Sequence, residues 1–314
     1  MVLVNLALFL GSLFVMVKSA EYCTMRSSSL ARFLHISEFV VSFFVVALIS
    51  TFPEATVSIL SAIEGMPQLG LGTLFGSNVA DLTLVFGIVA LLSNKGVHVK
   101  SEILKEDFLY LFLLMIPVLL GFDGEYSRVD GFIMVLCGLF FFFTLSIESH
   151  IFKKQYNGIK SKEFFKDFVL LILGLAVLLV SAYYTLEFGV DFANDMHIPP
   201  VLVGLTVISI GSCLPELFFS IKAVKSNHEE LALGDILGTV ITDATIILGI
   251  VCLISPFSFN PILVYITGSV MFLAGILVII FITSGKILTK KEGVYLLFFY
   301  IIYLIVEFIA SKGF

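Results

Sequence analysis

The chain reads as an all-α integral membrane protein: ten transmembrane helices arranged as two inverted five-helix repeats. Three observations predict this. Its 314 residues are 59% hydrophobic with a mean hydropathy of +1.10, more apolar surface than a soluble core needs. Lys and Arg segregate into alternate loops. Short blocks of sequence recur at one fixed offset, since 216−54 = 162 and 243−81 = 162.

A helix needs roughly 20 apolar residues to cross a bilayer. Such runs fall near 2–18, 36–63, 70–92, 107–121, 129–147, 165–186, 200–222, 232–254, 261–283 and 292–311. They are continuous rather than alternating, which argues against a transmembrane β-barrel. In the first run the earliest cation, Lys18, follows the apolar residues. A cleaved signal peptide has the reverse order, so this run is expected to be retained as a span. The intervening loops are too short to fold as separate soluble domains.

With ten spans, alternate loops share a side. One set carries 16 of the 18 Lys and Arg residues; the other carries only Arg128 and Lys312. Positive loops stay cytoplasmic, so both termini are expected outside the cytoplasm, in a plasma membrane. Five spans lie on each side of the basic segment Glu148–Phe164, and an odd number per half inverts the second half relative to the first. The expected units are therefore 1–147, a cytoplasmic linker 148–164, and 165–314. Cys23, Cys137, Cys213 and Cys252 have no ligand-like spacing and imply no disulfide framework. All five histidines fall at span ends or in loops, which argues against a buried His-based zinc site.

The repeat is local and dense. Phe52-Pro53-Glu54 answers Leu214-Pro215-Glu216, Gly76-Ser77 answers Gly238-Thr239, and Asp81 answers Asp243. Ser50 answers Ser212, Ser58 answers Ser220, and Gly72 answers Gly234. Acids at membrane depth are costly and usually sit on an ion or substrate path. Proline removes a backbone N–H, so carbonyls just before it, Ala47 to Ser50 and Ser209 to Ser212, are expected to be released. Such carbonyls are tolerated only where they are buried or line a polar cavity. Ser50 with Glu54, Ser77 with Asp81, Ser212 with Glu216 and Thr239 with Asp243 are each four apart, one helix face per pair. Gly72, Gly76, Gly234 and Gly238 are expected to let helices approach closely. Ser58 and Ser220 are expected to bond back to their own helices. The outcome is a set of carboxylate, hydroxyl and carbonyl oxygens without a basic residue in these spans. That chemistry suits a hard cation, Ca²⁺ or Na⁺, over a soft metal.

On these residues the chain resembles the cation/calcium exchanger superfamily. Ser50-Thr51-Phe52-Pro53-Glu54 and Gly211-Ser212-Cys213-Leu214-Pro215-Glu216 are similar to its Gly-Thr-Ser-x-Pro-Glu signature. Gly76-Ser77-Asn78-Val79-Ala80-Asp81 and Gly238-Thr239-Val240-Ile241-Thr242-Asp243 are similar to its Gly-Ser-Asn-x-x-Asn/Asp signature. The resemblance implies antiport of Ca²⁺ against Na⁺ by alternating access, with the first and sixth spans sliding across the rest. It implies that Glu54 and Glu216 bind Ca²⁺, helped by carbonyls near Ser50 and Ser212. It places Ser77 with Glu54 at an outer sodium site, Thr51 and Thr239 with Glu216 at an inner one, and Asp81 and Asp243 at the centre. No organic cofactor, nucleic acid or obligate protein partner is implied; the partners are inorganic cations and the lipid bilayer.

Two departures stand out. Asp81 occupies a position where sodium/calcium exchangers usually have Asn, and crowding by like charge favours the protonated form of one acid. H⁺ is therefore a candidate to compete with or partly replace Na⁺. Cys213 replaces a hydroxyl, and a thiol is a poor ligand for a hard ion. Thr73 and Asp235 also replace an Asn of the pattern. The alternatives are a proton-coupled or other divalent-cation antiporter, a passive channel, and an intramembrane aspartyl protease, which Leu233-Gly234-Asp235 faintly resembles.

Overall fold

The computed structural model describes residues 2–34, 38–93, 96–98, 107–149, 161–195, 211, 213–259, 261 and 264–312. Nearly all of these are helical. Seven helices are long and apolar enough to cross a membrane, and the bent pair Glu38–Ser50 and Phe52–Ile63 makes an eighth. The expected fourth span is a shorter apolar helix, Phe108–Leu120. Of the expected span 200–222, residues 200–210 and 212 lie outside the described residues, and the remainder enters helix Leu214–Lys225.

Two spans are longer than their apolar runs. The first helix continues past residue 18 as Val2–Leu34, and the sixth runs over Ser161–Asp195. Charge does not end them because it is paired laterally. Arg26 meets Asp167 at 2.6 Å, Ser29 bonds the same carboxylate, and Asn5 donates to Asp195 at 2.9 Å. These contacts set the two helices antiparallel. Within the first helix Ser19 and Thr24 donate to carbonyls four residues back, at 2.8 and 2.9 Å, and so do not break it.

Two spans form the centre. Pro67–Leu92 and Glu229–Ile254 are 78% and 83% buried, against 17% for Leu3–Leu30 and 22% for Lys290–Ile309. Their bounds differ by 229−67 = 162 and 254−92 = 162. Each is entered through the same tight turn. Met66 N–H bonds Ser61 O at 2.7 Å, and His228 N–H bonds Ala223 O at 2.8 Å. This closing bond requires a left-handed residue between the helices: Gly65 has φ 79° and Asn227 has φ 59°. Each central span also widens into a π turn, Asp81–Val85 and Thr242–Ile247. Such turns concentrate at functional sites, and here each contains one of the duplicated aspartates.

Packing repeats the correspondence. A Cβ on Gly249 would lie 2.7 Å from Gly131 O, and one on Gly131 would lie 2.7 Å from Gly249 O. Gly87 and Gly293 face each other in the same way, with a Cβ 3.0 and 2.9 Å from the opposing carbonyl. Since 249−87 = 162 and 293−131 = 162, the two contacts are counterparts. Two short antiparallel ladders close the ends: Val97–His98 (β1) on Ile287–Leu288 (β4), and Glu125–Tyr126 (β2) on Phe257–Ser258 (β3).

The close-approach glycines differ in part from expectation. Gly234 and Gly238 press on the backbone of Glu38–Ser50: their Cβ positions lie 2.4 Å from Phe39 O and 2.7 Å from Ala47 Cβ. Around Gly72 a Cβ would meet nothing within 4 Å, and at Gly76 only Tyr303 Oη at 3.9 Å. Their role passes to Gly70, whose Cβ would lie 3.0 Å from the Ser58 backbone. Ser58 accordingly donates across to Gly70 O at 3.4 Å rather than to its own helix, and the buried Ser220 hydroxyl has no partner among the described residues.

Gly249→Ala should lower the thermal-denaturation midpoint of the purified protein, because overpacking a tight contact costs about 1–3 kcal/mol. Gly11→Ala, with nothing within 4 Å, should leave it unchanged or raise it slightly. Fluorescence-detected size exclusion after a heat step measures both.

Candidate cation-binding site

Pro53 and Pro215 decide where the site forms. Each is the second residue of a new helix, Phe52–Ile63 or Leu214–Lys225, so its missing N–H falls in the first turn and is tolerated. Glu54 and Glu216 follow as third residues. There the exposed N–H groups and helix dipole favour a carboxylate. The break at Thr51 bends the first-half pair by 44°. Ser50 and Glu54 consequently sit on two helices rather than on one continuous face.

Of the twelve expected site residues, ten are described: Glu54, Glu216, Asp81, Asp243, Ser50, Ser77, Thr51, Thr239, Ala47 and Cys213. Ser209 and Ser212 lie outside the described residues. None of the ten is more than 4% exposed. Asp243 lies within Coulombic reach of Glu54 and Asp81, and Glu216 within reach of Glu54, Asp81 and Asp235. The acids of both halves therefore share one interior region. Cys213 crosses between halves as well: its thiol is 3.7 Å from Ser77 O and lies against Asp81. Ser77 faces Asp243, while its hydroxyl donates to Leu74 O at 3.1 Å.

Two expectations change. The Ala47 carbonyl is not released by Pro53; it accepts Thr51 N–H at 3.0 Å and the Ser50 hydroxyl at 3.2 Å. The N–H lost at a proline would have served the carbonyl four residues back, which is Ile49. Thr51 turns its hydroxyl to its own helix, onto Leu48 O at 3.1 Å.

Asp235 is the residue the repeat argument passed over. It is fully buried, accepts the Ser50 hydroxyl at 3.0 Å through Oδ1, and lies within reach of Asp81 and Glu216. Ser50 Oγ is also 3.2 Å from Thr239 Oγ1. Gly234 and Gly238 bring this about by letting their helix lie directly on Glu38–Ser50. The available signal was the spacing of Asp235, Thr239 and Asp243, four residues each, which puts them on one face. Tyr110, a buried hydroxyl near Asp81 with no hydrogen-bond partner among the described residues, was likewise unforeseen.

The polar chemistry is unfinished. Both oxygens of Glu216 and of Asp243, Asp81 Oδ1, Asp235 Oδ2 and Asn78 Oδ1 are buried without hydrogen-bond partners among the described residues. The ion pairs between described residues all lie elsewhere. Buried charge without a counter-charge is strongly unfavourable, and a cation would supply it. No three Asp, Glu, His or Cys side chains among the described residues are arranged to hold a metal by themselves. Hydroxyl and backbone oxygens would have to complete any coordination shell.

Comparison with known proteins fits this chemistry. The family model described as sodium/calcium exchanger protein matches residues 4–147 and again 166–309. The chain is 29% identical to the sodium/calcium exchanger MaX1 of Methanosarcina acetivorans, covering 98% of this chain and 99% of that one. It is 28% identical to the inner membrane protein YrbG of Escherichia coli, over 86% of each. A structure of the sodium-calcium exchanger NCX_Mj soaked with Na⁺ and Sr²⁺ superimposes with a TM-score of 0.83 at 23% identity, covering 96% of this chain and 98% of that one. The family is one of transporters rather than enzymes, which removes the protease alternative. The chain belongs to the sodium/calcium exchanger protein family and is an integral membrane cation exchanger.

Proposed function

We propose that this protein exchanges Ca²⁺ for Na⁺ by alternating access, with ten spans in two inverted repeats around one shared site. The observation that carries the proposal is the burial together of duplicated acids from both halves, with oxygens of Glu216, Asp81 and Asp243 lacking hydrogen-bond partners among the described residues. Ca²⁺ takes six to eight oxygens, and an ion whose oxygens come from both halves ties its occupancy to their relative position. Na⁺, also a hard cation, competes for the same oxygens, so the two ions bind by turns.

Inversion is supported by the ladders and by the family model. β1 pairs with β4 and β2 with β3. By the 162-residue offset, β4 is the counterpart of β2 (287−125 = 162), and β3 begins two residues before the counterpart of β1 (257−97 = 160). Each ladder joins one segment to the neighbourhood of the other's counterpart, which is what a two-fold relation between the halves would give. The two family matches also begin and end 162 residues apart (166−4 and 309−147). In this arrangement Glu54 and Glu216 are the Ca²⁺ ligands, helped by carbonyls near Ser50 and Ser212, Asp81 and Asp243 complete the centre, Ser77 with Glu54 makes an outer Na⁺ site, and Thr51 and Thr239 with Glu216 an inner one. The helices Val2–Leu34 and Ser161–Asp195, bonded to each other, form the sliding pair. The units 1–147, 148–164 and 165–314 follow, with the basic linker cytoplasmic and both termini outside, in the plasma membrane.

Proteoliposomes loaded with Na⁺ and carrying wild-type protein should take up ⁴⁵Ca²⁺ from an external Na⁺-free medium, and a K⁺ gradient alone should not drive it. Uptake driven only by a pH gradient would favour the proton-coupled alternative. Glu216→Gln should reduce Na⁺-driven uptake by about tenfold or more, the loss of one charged contact worth roughly 1.5–3 kcal/mol. Asp81→Asn should flatten any inhibition by acid if protons compete there; an unchanged pH profile removes Asp81 from that role. With single cysteines in a cysteine-free background, an impermeant maleimide should label position 2 in intact cells and a position near 290 only after the membrane is permeabilised.

A further inference from the structure

The site contains one acid that the duplication does not explain. Asp235 has Thr73 as its counterpart, since 235−73 = 162, and Thr73 turns its hydroxyl back to Leu69 O at 3.0 Å. Four duplicated acids make a symmetric pair of pairs; Asp235 makes one half of the site richer by a charge. Its Oδ1 accepts the Ser50 hydroxyl at 3.0 Å, and Ser50 Oγ is 3.2 Å from Thr239 Oγ1. Its Oδ2 is buried and has no hydrogen-bond partner among the described residues.

A hydrogen bond from Ser50 alone does not account for a carboxylate here. An amide would accept the same hydroxyl without the cost of a buried charge. The residual, unpartnered Oδ2 points to something positively charged that is bound part of the time. Asp235 Oδ1 and Oδ2, Ser50 Oγ and Thr239 Oγ1 form a cluster of oxygens with a single formal charge. Ca²⁺ seeks more oxygens and usually more carboxylates, so the charge balance matches a monovalent hard cation. The contributing residues come from both halves, Ser50 from the first and Asp235 and Thr239 from the second.

We infer that Asp235 is a cation ligand: with Ser50 and Thr239 it forms a monovalent-cation subsite that the opposite half, with Thr73 in the matching position, does not duplicate. The inference rests on the exchange reading for what the ion does in the cycle, but binding at Asp235 can be measured apart from transport. Alkali-cation binding at the two sides of the site is then unequal, the Asp235 side holding its ion more tightly.

The test uses purified full-length protein, wild type and Asp235→Asn, which keeps an acceptor for Ser50 and removes the charge. Thermal unfolding is followed in NaCl, KCl and choline chloride at equal ionic strength. Wild type should be stabilised by Na⁺ or K⁺ over choline, the two arms identifying which ion is taken. D235N should need about tenfold more of that ion for the same stabilisation, equivalent to ~1.4 kcal/mol of binding. In proteoliposomes, D235N should raise half-saturating Na⁺ for ⁴⁵Ca²⁺ exchange by a similar factor. If D235N does not fold, Ser50→Ala serves instead and should shift the same cation dependence by about threefold or more. Cation dependence within about twofold of wild type in the folded variant, or a wild type that neither ion stabilises over choline, overturns the inference. Asp235-dependent stabilisation in a protein that lacks Na⁺-driven Ca²⁺ flux supports it and sinks the exchange reading alone.

Discussion

A carboxylate withdrawn from water costs several kcal/mol unless a counter-charge or donors replace its hydration. Here Glu54, Asp81, Glu216, Asp235 and Asp243 are withdrawn together, in a low-dielectric interior where their mutual repulsion is strong. Nothing in an ordinary core selects such a group. On the proposed reading a mobile cation selects it, because a site that is costly when empty favours whatever neutralises it. The fold's irregularities make sense against this cost. The helix starts at Phe52 and Leu214 aim backbone dipoles at Glu54 and Glu216, and the π turns at Asp81 and Thr242 place the aspartates in the central spans.

Bringing the oxygens of two halves together needs backbones that touch. Gly131 against Gly249, Gly87 against Gly293, and Gly234 and Gly238 against Glu38–Ser50 remove the side chains that would hold helices apart. The last of these contacts sets Asp235 and Thr239 on Ser50. A methyl group at one of these positions would act on ion binding through helix separation, without touching an ion. The long helices Val2–Leu34 and Ser161–Asp195 are different: only a minority of their most apolar residues are buried within the protein, and they are tied to each other through Arg26, Asp167, Asn5 and Asp195. A pair fastened internally and loosely embedded is suited to move as a unit.

Much of this was legible in the amino-acid order. Hydropathy located the seven or eight apolar spans among the described residues because a bilayer demands length and apolarity and little else. The Pro-Glu pairs marked the helix breaks because proline's missing N–H is a local property. The duplicated acids marked the interior because burial of charge is rarely accidental. Residues whose role depends on partners far away in sequence were not legible. Asp235 was hidden because duplication was the guide and Thr73 broke it. The expected release of carbonyls Ala47 to Ser50 was too broad: the N–H missing at Pro53 would have served Ile49, while the Ala47 carbonyl keeps the Thr51 N–H. Gly72 and Gly76 look identical to Gly234 and Gly238 in the sequence, yet the described packing uses only the second pair. The ends of the first and sixth helices were misjudged because lateral pairing of Arg26 with Asp167 lets a charged stretch remain helical.

The central claim is that carboxylates of both halves hold one ion in common. Crystals soaked with Sr²⁺, a heavier stand-in for Ca²⁺, test it directly through anomalous diffraction. The account predicts one peak in the protein interior with oxygens of Glu54 and of Glu216 both in direct contact with it, at distances slightly longer than the roughly 2.3–2.6 Å of Ca²⁺. A peak ligated by one half alone, or an interior without a peak while surface sites fill, would contradict it.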